Sequence, residues 1–321
     1  MKTYDNVISA PRGALLWSFL GVLGFSGSLP ATRAAVPHLG AITVGLGRAC
    51  VAGLLAALVL SWKRSPLPSR QQLLGLVQVA LGVVIGFPLL SACALERVPA
   101  SHAALVVGLT PLLTAGWAVL RAGERVSRRF WAASGCATLV VLGFCLHSGD
   151  GRLSHADLWL LLGALICAYG YAEGAKLSRE LGGFRVIAWA LVIAWLPLVA
   201  VVAYAGLPEL RVVPLSAWLG FAYVSVVSMF LAFVVWYAGL AGAGIARASQ
   251  LQLLQPLLSM ALASWLLHES LPRGILLAMS ALVPLIVVAN RSRSVRAELV
   301  TRPHKRGKAA RGRRQFVTVG F

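Results

Sequence analysis

Ala103 to Arg128 reads AALVVGLTPLLTAGWAVLRAGERVSR, and Ala248 to Arg273 reads ASQLQLLQPLLSMALASWLLHESLPR. A constant offset of 145 residues sets Pro111-Leu112-Leu113 on Pro256-Leu257-Leu258, Ala118 on Ala263, Glu124 on Glu269 and Arg128 on Arg273. Each copy is an apolar run interrupted by proline, closed by an acidic residue and followed by another apolar run. One such match is unremarkable in so Leu- and Ala-rich a chain. The same interval holding across Pro, Glu and Arg together marks two halves of one duplicated membrane unit.

Composition agrees. Of the 321 residues 59% are hydrophobic and only 12% charged, whereas a soluble globule carries about 25% charged residues. Mean hydropathy is +0.81, as in a multi-spanning membrane protein. The formal charge of +19 raises nucleic acid as a partner, but ten of the 29 Lys and Arg fall in the last 31 residues and most others lie between apolar runs. No aromatic interleaving accompanies the charge, which argues against nucleic-acid binding. Cys50, Cys93, Cys136, Cys145 and Cys167 sit inside apolar runs without CxxC spacing, as small packing residues rather than disulfide or zinc ligands.

A spanning helix needs about 20 mainly apolar residues. Ten runs qualify, at 13–32, 39–61, 72–95, 100–120, 128–147, 155–175, 184–205, 214–238, 244–267 and 272–290. Helices are the expected form, because open sheet edges go unsatisfied in lipid and the runs lack a barrel's alternation. The first run imitates a signal peptide but is long, and is read as an uncleaved span. Lys and Arg set the orientation. With the N-terminus in the cytoplasm, inner segments hold 23 of these residues and outer segments 5; without the tail the ratio is still 13 to 5. The expected layout is a cytoplasmic N-terminus (1–12), a first five-helix repeat (13–147), an outer linker (148–154), a second repeat (155–290) and a basic, disordered cytoplasmic tail (291–321). Five spans per half give the halves opposite orientation. Such inverted repeats place a substrate site near the midplane and permit alternating access.

At these residues the chain resembles the EamA type of the drug/metabolite transporter superfamily. Leu109-Thr110-Pro111-Leu112-Leu113 with Gly123-Glu124-Arg125, and Leu254-Gln255-Pro256-Leu257-Leu258 with His268-Glu269-Ser270-Leu271, carry the likeness. Arg48, within GLGRACVAGLL, looks like that family's second-span arginine. The likeness covers roughly residues 13–290. His268 stands where the second repeat commonly has Gly, and the second half has no evident counterpart of Arg48. The resemblance implies movement of a small metabolite or amino acid, often outward, and names no substrate.

Arg48 is the sharpest candidate for binding chemistry. A charge near the midplane costs between about 3 and more than 10 kcal/mol and normally faces a cavity or a partner. It serves either as an anion site or gate, or as a packing lock on backbone carbonyls. Pro111 and Pro256 each remove a helical hydrogen bond and leave the carbonyls of Val107 and Gln252 to be satisfied. Beside them run polar stripes, Thr110 and Thr114 in one half, Gln252, Gln255 and Ser259 with Ser249 in the other. These line a cavity or bond between helices. Tyr169 and Trp236, with Trp17, Tyr171 and Tyr237, offer stacking surfaces or membrane-belt packing.

Glu124 and Glu269 end spans just before a helix, with Ser127 and Ser270 as N-caps, a pattern that reads first as structural. Glu173 is the most embedded acid; it is a candidate proton carrier or an i,i+3 partner of Lys176. Five of six histidines map to the outer side, without the spacing of a metal site. No Walker loop, GxSxG, HExxH or GxGxxG lies in a suitable context, so no cofactor and no enzymatic role are expected.

The sequence therefore reads as an all-α, ten-helix secondary transporter, an exporter by preference, in a bacterial inner membrane. Its expected partners are a small-molecule substrate and, through the tail, anionic inner-leaflet lipid. Small residues suffice for a homodimer interface and equally for packing within one chain. A lipid flippase, a lipid-modifying membrane enzyme and a non-transporting scaffold are the rivals.

Overall fold

A computed structural model describes residues 13–148, 155–206, 212–268, 275–292 and 294–296. The N-terminal segment 1–12, most of the outer linker, Glu269 to Arg273 and the tail beyond Arg296 lie outside the described residues.

The helices follow one another as α1 (Ala14–Leu39), α2 (Thr43–Trp62), α3 (Arg70–Leu95), α4 (in two pieces, Ala100–Val107 and Thr110–Ala122), α5 (Arg128–Ser148), α6 (His155–Leu181), α7 (Gly183–Ala205), α8 (Leu215–Ala243), α9 (in three pieces, Ile245–Ser249, Gln250–Leu254 and Gln255–Leu267) and α10 (Ile275–Arg291). Among the described residues, α1, α2, α3, α6, α7 and α8 are long and apolar enough to cross a membrane. Their outward faces carry Leu16, Leu58, Leu74, Leu81, Leu196 and Leu219, all exposed. Apolar exposure on this scale belongs in contact with lipid. The start of α3 shows the local logic: Ser69 Oγ accepts from the Gln72 amide and Gln72 Oε1 from the Ser69 amide, a reciprocal capping box. The first helix extends past the expected 32 to Leu39, because Arg33 finds an acceptor in the Leu95 carbonyl of α3.

The 145-residue offset governs the packing. It carries α1 onto α6, α2 onto α7, α3 onto α8, α4 onto α9 and α5 onto α10. The contacts respect this exchange. Helix α1 packs on α8 and α6 on α3, while α2 meets α7, α4 meets α9 and α5 meets α10. Trp195 Nε1 donates to the Cys50 carbonyl at 2.9 Å, joining two positions that are themselves 145 residues apart. Equivalent helices run antiparallel. The end of α2 meets the start of α7, where Lys63 Nζ lies 4.7 Å from the Phe184 ring. The end of α4 meets the start of α9, where Glu124 accepts from Ile245. The repeats are thus inverted.

Two sequence signals behave alike in both halves. Each conserved-interval proline sits in the first turn of a new helix piece, after a break at Gly108-Leu109 in α4 and after the 3₁₀ turn Gln250–Leu254 in α9. There a proline loses no hydrogen bond. The Gln252 carbonyl, expected to be free, is taken by the Gln255 amide through that tighter turn. Both pieces then end in a left-handed cap, at Gly123 (φ 64°) and at its counterpart His268 (φ 55°). Small residues make the closest crossings: a Cβ on Gly82 of α3 would stand 2.6 Å from the Ile166 carbonyl oxygen of α6. A short strand β1 (Glu124–Val126) pairs antiparallel with β2 (Ser294–Arg296), just beyond α10.

Gly82→Val is expected to cost about 3 kcal/mol, because backbone stands in the way, whereas Gly116→Ala, with open space at its Cβ, gains up to about 1 kcal/mol. Thermal unfolding midpoints in detergent check both. His268→Gly is expected to raise the midpoint, by relief of about 1 kcal/mol of left-handed strain.

Candidate substrate site

Arg48 is 3% exposed and stands where α2 leaves a π-helical stretch, Thr43–Gly47. Its Nη2 donates to the Pro88 carbonyl at 2.9 Å and its Nε to the Gly45 carbonyl at 3.3 Å. Gly45 makes the reach short, since a Cβ there would lie 3.0 Å from Leu89 Cα. A guanidinium has five N–H donors. Among the described residues no carboxylate lies within ion-pairing distance of Arg48, and Nη1 has no protein acceptor. The side chain is therefore both a backbone lock and a cation on the wall of a cavity.

That cavity lies where α1, α2, α3, α4, α6, α8 and α9 converge, between the halves. One wall is aromatic. Phe25 meets Phe233 edge-on at 4.8 Å between centroids and stacks on Tyr171 at 6.4 Å. The lining also carries polar groups, Arg48, Thr110, Gln252 and Gln255, and Ser28 bonded to Ser228 at 2.6 Å. Thr110 Oγ1 and Gln252 Oε1 are buried without a hydrogen-bond partner among the described residues. Such atoms are uncommon in native interiors and call for an explanation. The open space is about 30 Å³, room for about two water molecules rather than a metabolite.

Of the residues singled out from sequence, Arg48, Thr110, Gln252 and Gln255 come together on this lining. Pro111 and Pro256 shape the breaks beside it. Thr114 is buried one turn away, its hydroxyl without a partner among the described residues. Ser259 bonds the Ser26 carbonyl at 2.8 Å and Ser249 the Pro111 carbonyl at 3.3 Å, so these two hold α9 to α1 and α4. Trp236 stands behind the aromatic wall, 5.5 Å from Tyr171. Tyr169 packs outside the cavity on Trp117, with Arg121 over its ring.

Sequence reasoning did not single out Phe25, Ser28, Val83, Cys167, Ser228 or Phe233 for this lining. No local sequence signal pointed to them. The π-helical stretches Ala80–Gly86 of α3 and Tyr223–Leu231 of α8 occupy matching repeat positions and carry Val83, Ser228 and Met229 to the cavity. A π turn re-aims the side chains that follow it and recurs at functional sites.

The acids lie elsewhere. Glu173 Oε1 accepts from Arg121 Nε at 2.6 Å and Oε2 from Lys176 Nζ at 2.8 Å. It borders a separate groove of about 250 Å³ between α3 and α6, shared with Gln71, Gln78 and Glu180. Glu124 caps a helix of the other half: Oε1 and Oε2 accept from the Ile245 and Ala246 amides at 2.8 and 2.9 Å, and Arg179 Nη2 approaches at 3.3 Å. Ser127 caps α5 through the Phe130 amide. At the opposite end, His102 bonds Asp157 at 2.7 Å and Glu96 accepts from the Ala41 amide at 3.1 Å.

A buried cation and orphaned polar atoms where inverted helical repeats cross are the organisation of a membrane transporter. The EamA-like transporter family matches residues 12–146 and again 154–290, and the chain belongs to that family. It is 45% identical over 274 residues to the uncharacterized transporter YdeK of Bacillus subtilis (strain 168), covering 85% of this chain and 95% of that one. It is 25% identical over 124 residues to the uncharacterized transporter sll0355 of Synechocystis sp., 39% of this chain and 38% of that one. A crystal structure 20% identical in sequence shares the fold, with a TM-score of 0.70 over 87% of this chain and 98% of that chain.

Glu124→Ala leaves the buried N–H groups of Ile245 and Ala246 without their acceptor. It is expected to cost about 2–4 kcal/mol and Glu124→Gln less, read as lowered thermal midpoints of the purified protein.

Proposed function

We propose that the chain is a secondary transporter that moves a small metabolite or amino acid across the bacterial inner membrane, outward by preference, driven by a gradient. All ten helices span the membrane in this reading, with both termini in the cytoplasm. The six long apolar helices and the excess of Lys and Arg on the inner segments support that layout. The inverted halves exchange conformations about the central cavity, opening it to one side and then the other.

The observation that carries the reading is Arg48. It is a buried guanidinium with no carboxylate partner among the described residues, on a lining that also holds the unpartnered oxygens Thr110 Oγ1 and Gln252 Oε1. A substrate carboxylate or other anionic group would complete its donor fork. The unpartnered oxygens would accept from the substrate's own N–H or O–H groups. Glu173, already held by Arg121 and Lys176, enters as the proton carrier only if its ion pairs open during the cycle.

The test is flux in sealed vesicles holding the purified protein, with pooled amino acids and organic acids, with and without an imposed proton gradient. Arg48→Ala is expected to lower the initial rate about 100-fold, the scale for removing one member of a buried charge pair, with a folded, monodisperse variant. Arg48→Lys should fall between. Unchanged flux from folded Arg48→Ala would sink the anion-site reading, and loss of the folded protein would assign Arg48 to packing.

A further inference from the structure

Two stripes of side chains border one groove where α3 begins and α6 ends. On α3 they are Gln71, Leu74, Gly75 and Gln78, and on α6 Glu173, Lys176, Leu177 and Glu180. Both run at i, i+3, i+4 and i+7, a single helix face over two turns. The helices touch at the floor, where a Cβ on Gly75 would stand 2.9 Å from Leu177 Cδ1. Gln72 Nε2 donates to Glu180 Oε2 at 3.3 Å, tying the start of α3 to the end of α6. The groove holds about 250 Å³, against about 30 Å³ in the central cavity.

Helix length sets its depth in the membrane. The apolar spans of α3 and α6 are 26 and 27 residues long, about 40 Å at the rise of an α-helix. The hydrocarbon core is only about 30 Å thick. The terminal turns therefore stand in the headgroup layer, and the groove lies among the first turns of α3 and the last turns of α6. Leu74 and Leu81, seven residues apart on α3 and both exposed, continue from it toward the middle of the span.

The charges around the groove balance. Glu173 is shared between Arg121 and Lys176. Lys176 keeps further N–H donors beyond the one that Glu173 takes, and Gln71 and Gln78 bring amide donors on the facing stripe. Glu180 has an amide partner, Gln72, and among the described residues no cation within ion-pairing distance. Lys176 and Glu180 are one helical turn apart, with roughly 6 Å between their Cβ atoms. A donor cluster for an anion thus stands one turn from a carboxylate that lacks a cation, beside an apolar track.

We infer that this groove binds a membrane phospholipid whose phosphate carries a primary ammonium two carbons away, the chemistry of phosphatidylethanolamine. The phosphate takes the N–H groups of Lys176, Gln71 and Gln78. The ammonium donates to Glu180, and an acyl chain lies along Leu74 and Leu81. A choline headgroup has no N–H to give Glu180, and a glycerol headgroup brings no cation to it.

The test reads lipid binding, so it stands apart from the transport reading. The full chain in detergent is offered equal amounts of phosphatidylethanolamine, phosphatidylcholine and phosphatidylglycerol with identical acyl chains, and native mass spectrometry counts the lipid retained. The ethanolamine lipid should be retained about tenfold over the choline lipid, the scale of one charge-assisted hydrogen bond. Glu180→Gln should bring the two to about parity. Gln78→Leu fills the groove and removes a donor, and should lower retention of both about tenfold. Glu180 is exposed and Gln78 half-buried, so both variants should keep the thermal midpoint of the parent. Free phosphoethanolamine in excess should leave the lipid bound, because it has no chain to lay along the apolar track.

Equal retention of the ethanolamine and choline lipids overturns the proposal. So does a preference that survives Glu180→Gln, or retention unchanged by Gln78→Leu. Preferred retention of phosphatidylglycerol overturns it in favour of an anion site. Displacement of the lipid by free phosphoethanolamine overturns the membrane source in favour of a soluble amino phosphate.

Discussion

The antiparallel crossing of α4 on α9, closed by the Glu124 carboxylate, is the contact on which the rest of the molecule depends. Both helices are broken beside a proline, and a broken helix in hydrocarbon must find partners for its ends or border a cavity. Here the two breaks face one another near the centre of the molecule, with Ser249 bonded to the Pro111 carbonyl across the crossing. Of the unpartnered buried atoms, Thr110 Oγ1 and Gln252 Oε1 belong to residues on the cavity lining. Glu124 then settles the other open question, the first amides of α9, by reaching across from the opposite half. A break that is unstable in one helix becomes a site when two are set against each other.

Much of this was legible in the sequence. The 145-residue interval marked the duplication, and five apolar runs in each half implied its inversion. The charge of Arg48 within an apolar run, and the polarity beside Pro111 and Pro256, pointed to four of the cavity's polar residues. What stayed hidden was whatever depends on distance rather than interval. Phe25 and Phe233 are ordinary aromatic residues in apolar runs, and only the packing of α1 on α8 makes them one wall. The π-helical stretches have no local signature in composition. Glu124 was legible as a helix cap, but sequence reasoning looked to the next helix in the chain. The helix it caps begins 121 residues later.

The scaffold is symmetric while its chemistry is not. Arg48 has Ile193 as its counterpart, Ser28 has Glu173 and Gly123 has His268. At the last of these the backbone keeps its left-handed conformation although the side chain disfavours it, so geometry outlasted composition there. Elsewhere the reverse holds. Equivalent backbone positions carry different functions, a cavity serine in one half and an ion-paired acid in the other. Duplication supplied the two halves, and divergence confined the buried guanidinium to one of them.

That confinement has an energetic consequence. Both carbonyls that hold the Arg48 guanidinium, those of Gly45 and Pro88, belong to the same half as Arg48 itself. In the proposed exchange of conformations, a shift of the halves as bodies carries the cation and its ligands together. The work of taking the charge out of water was settled as the first half folded, and it cancels between conformations that face opposite sides. Under that proposal a fixed cation carried in its own solvation shell adds little to the barrier between those states, and an empty carrier would return with its charge still clothed.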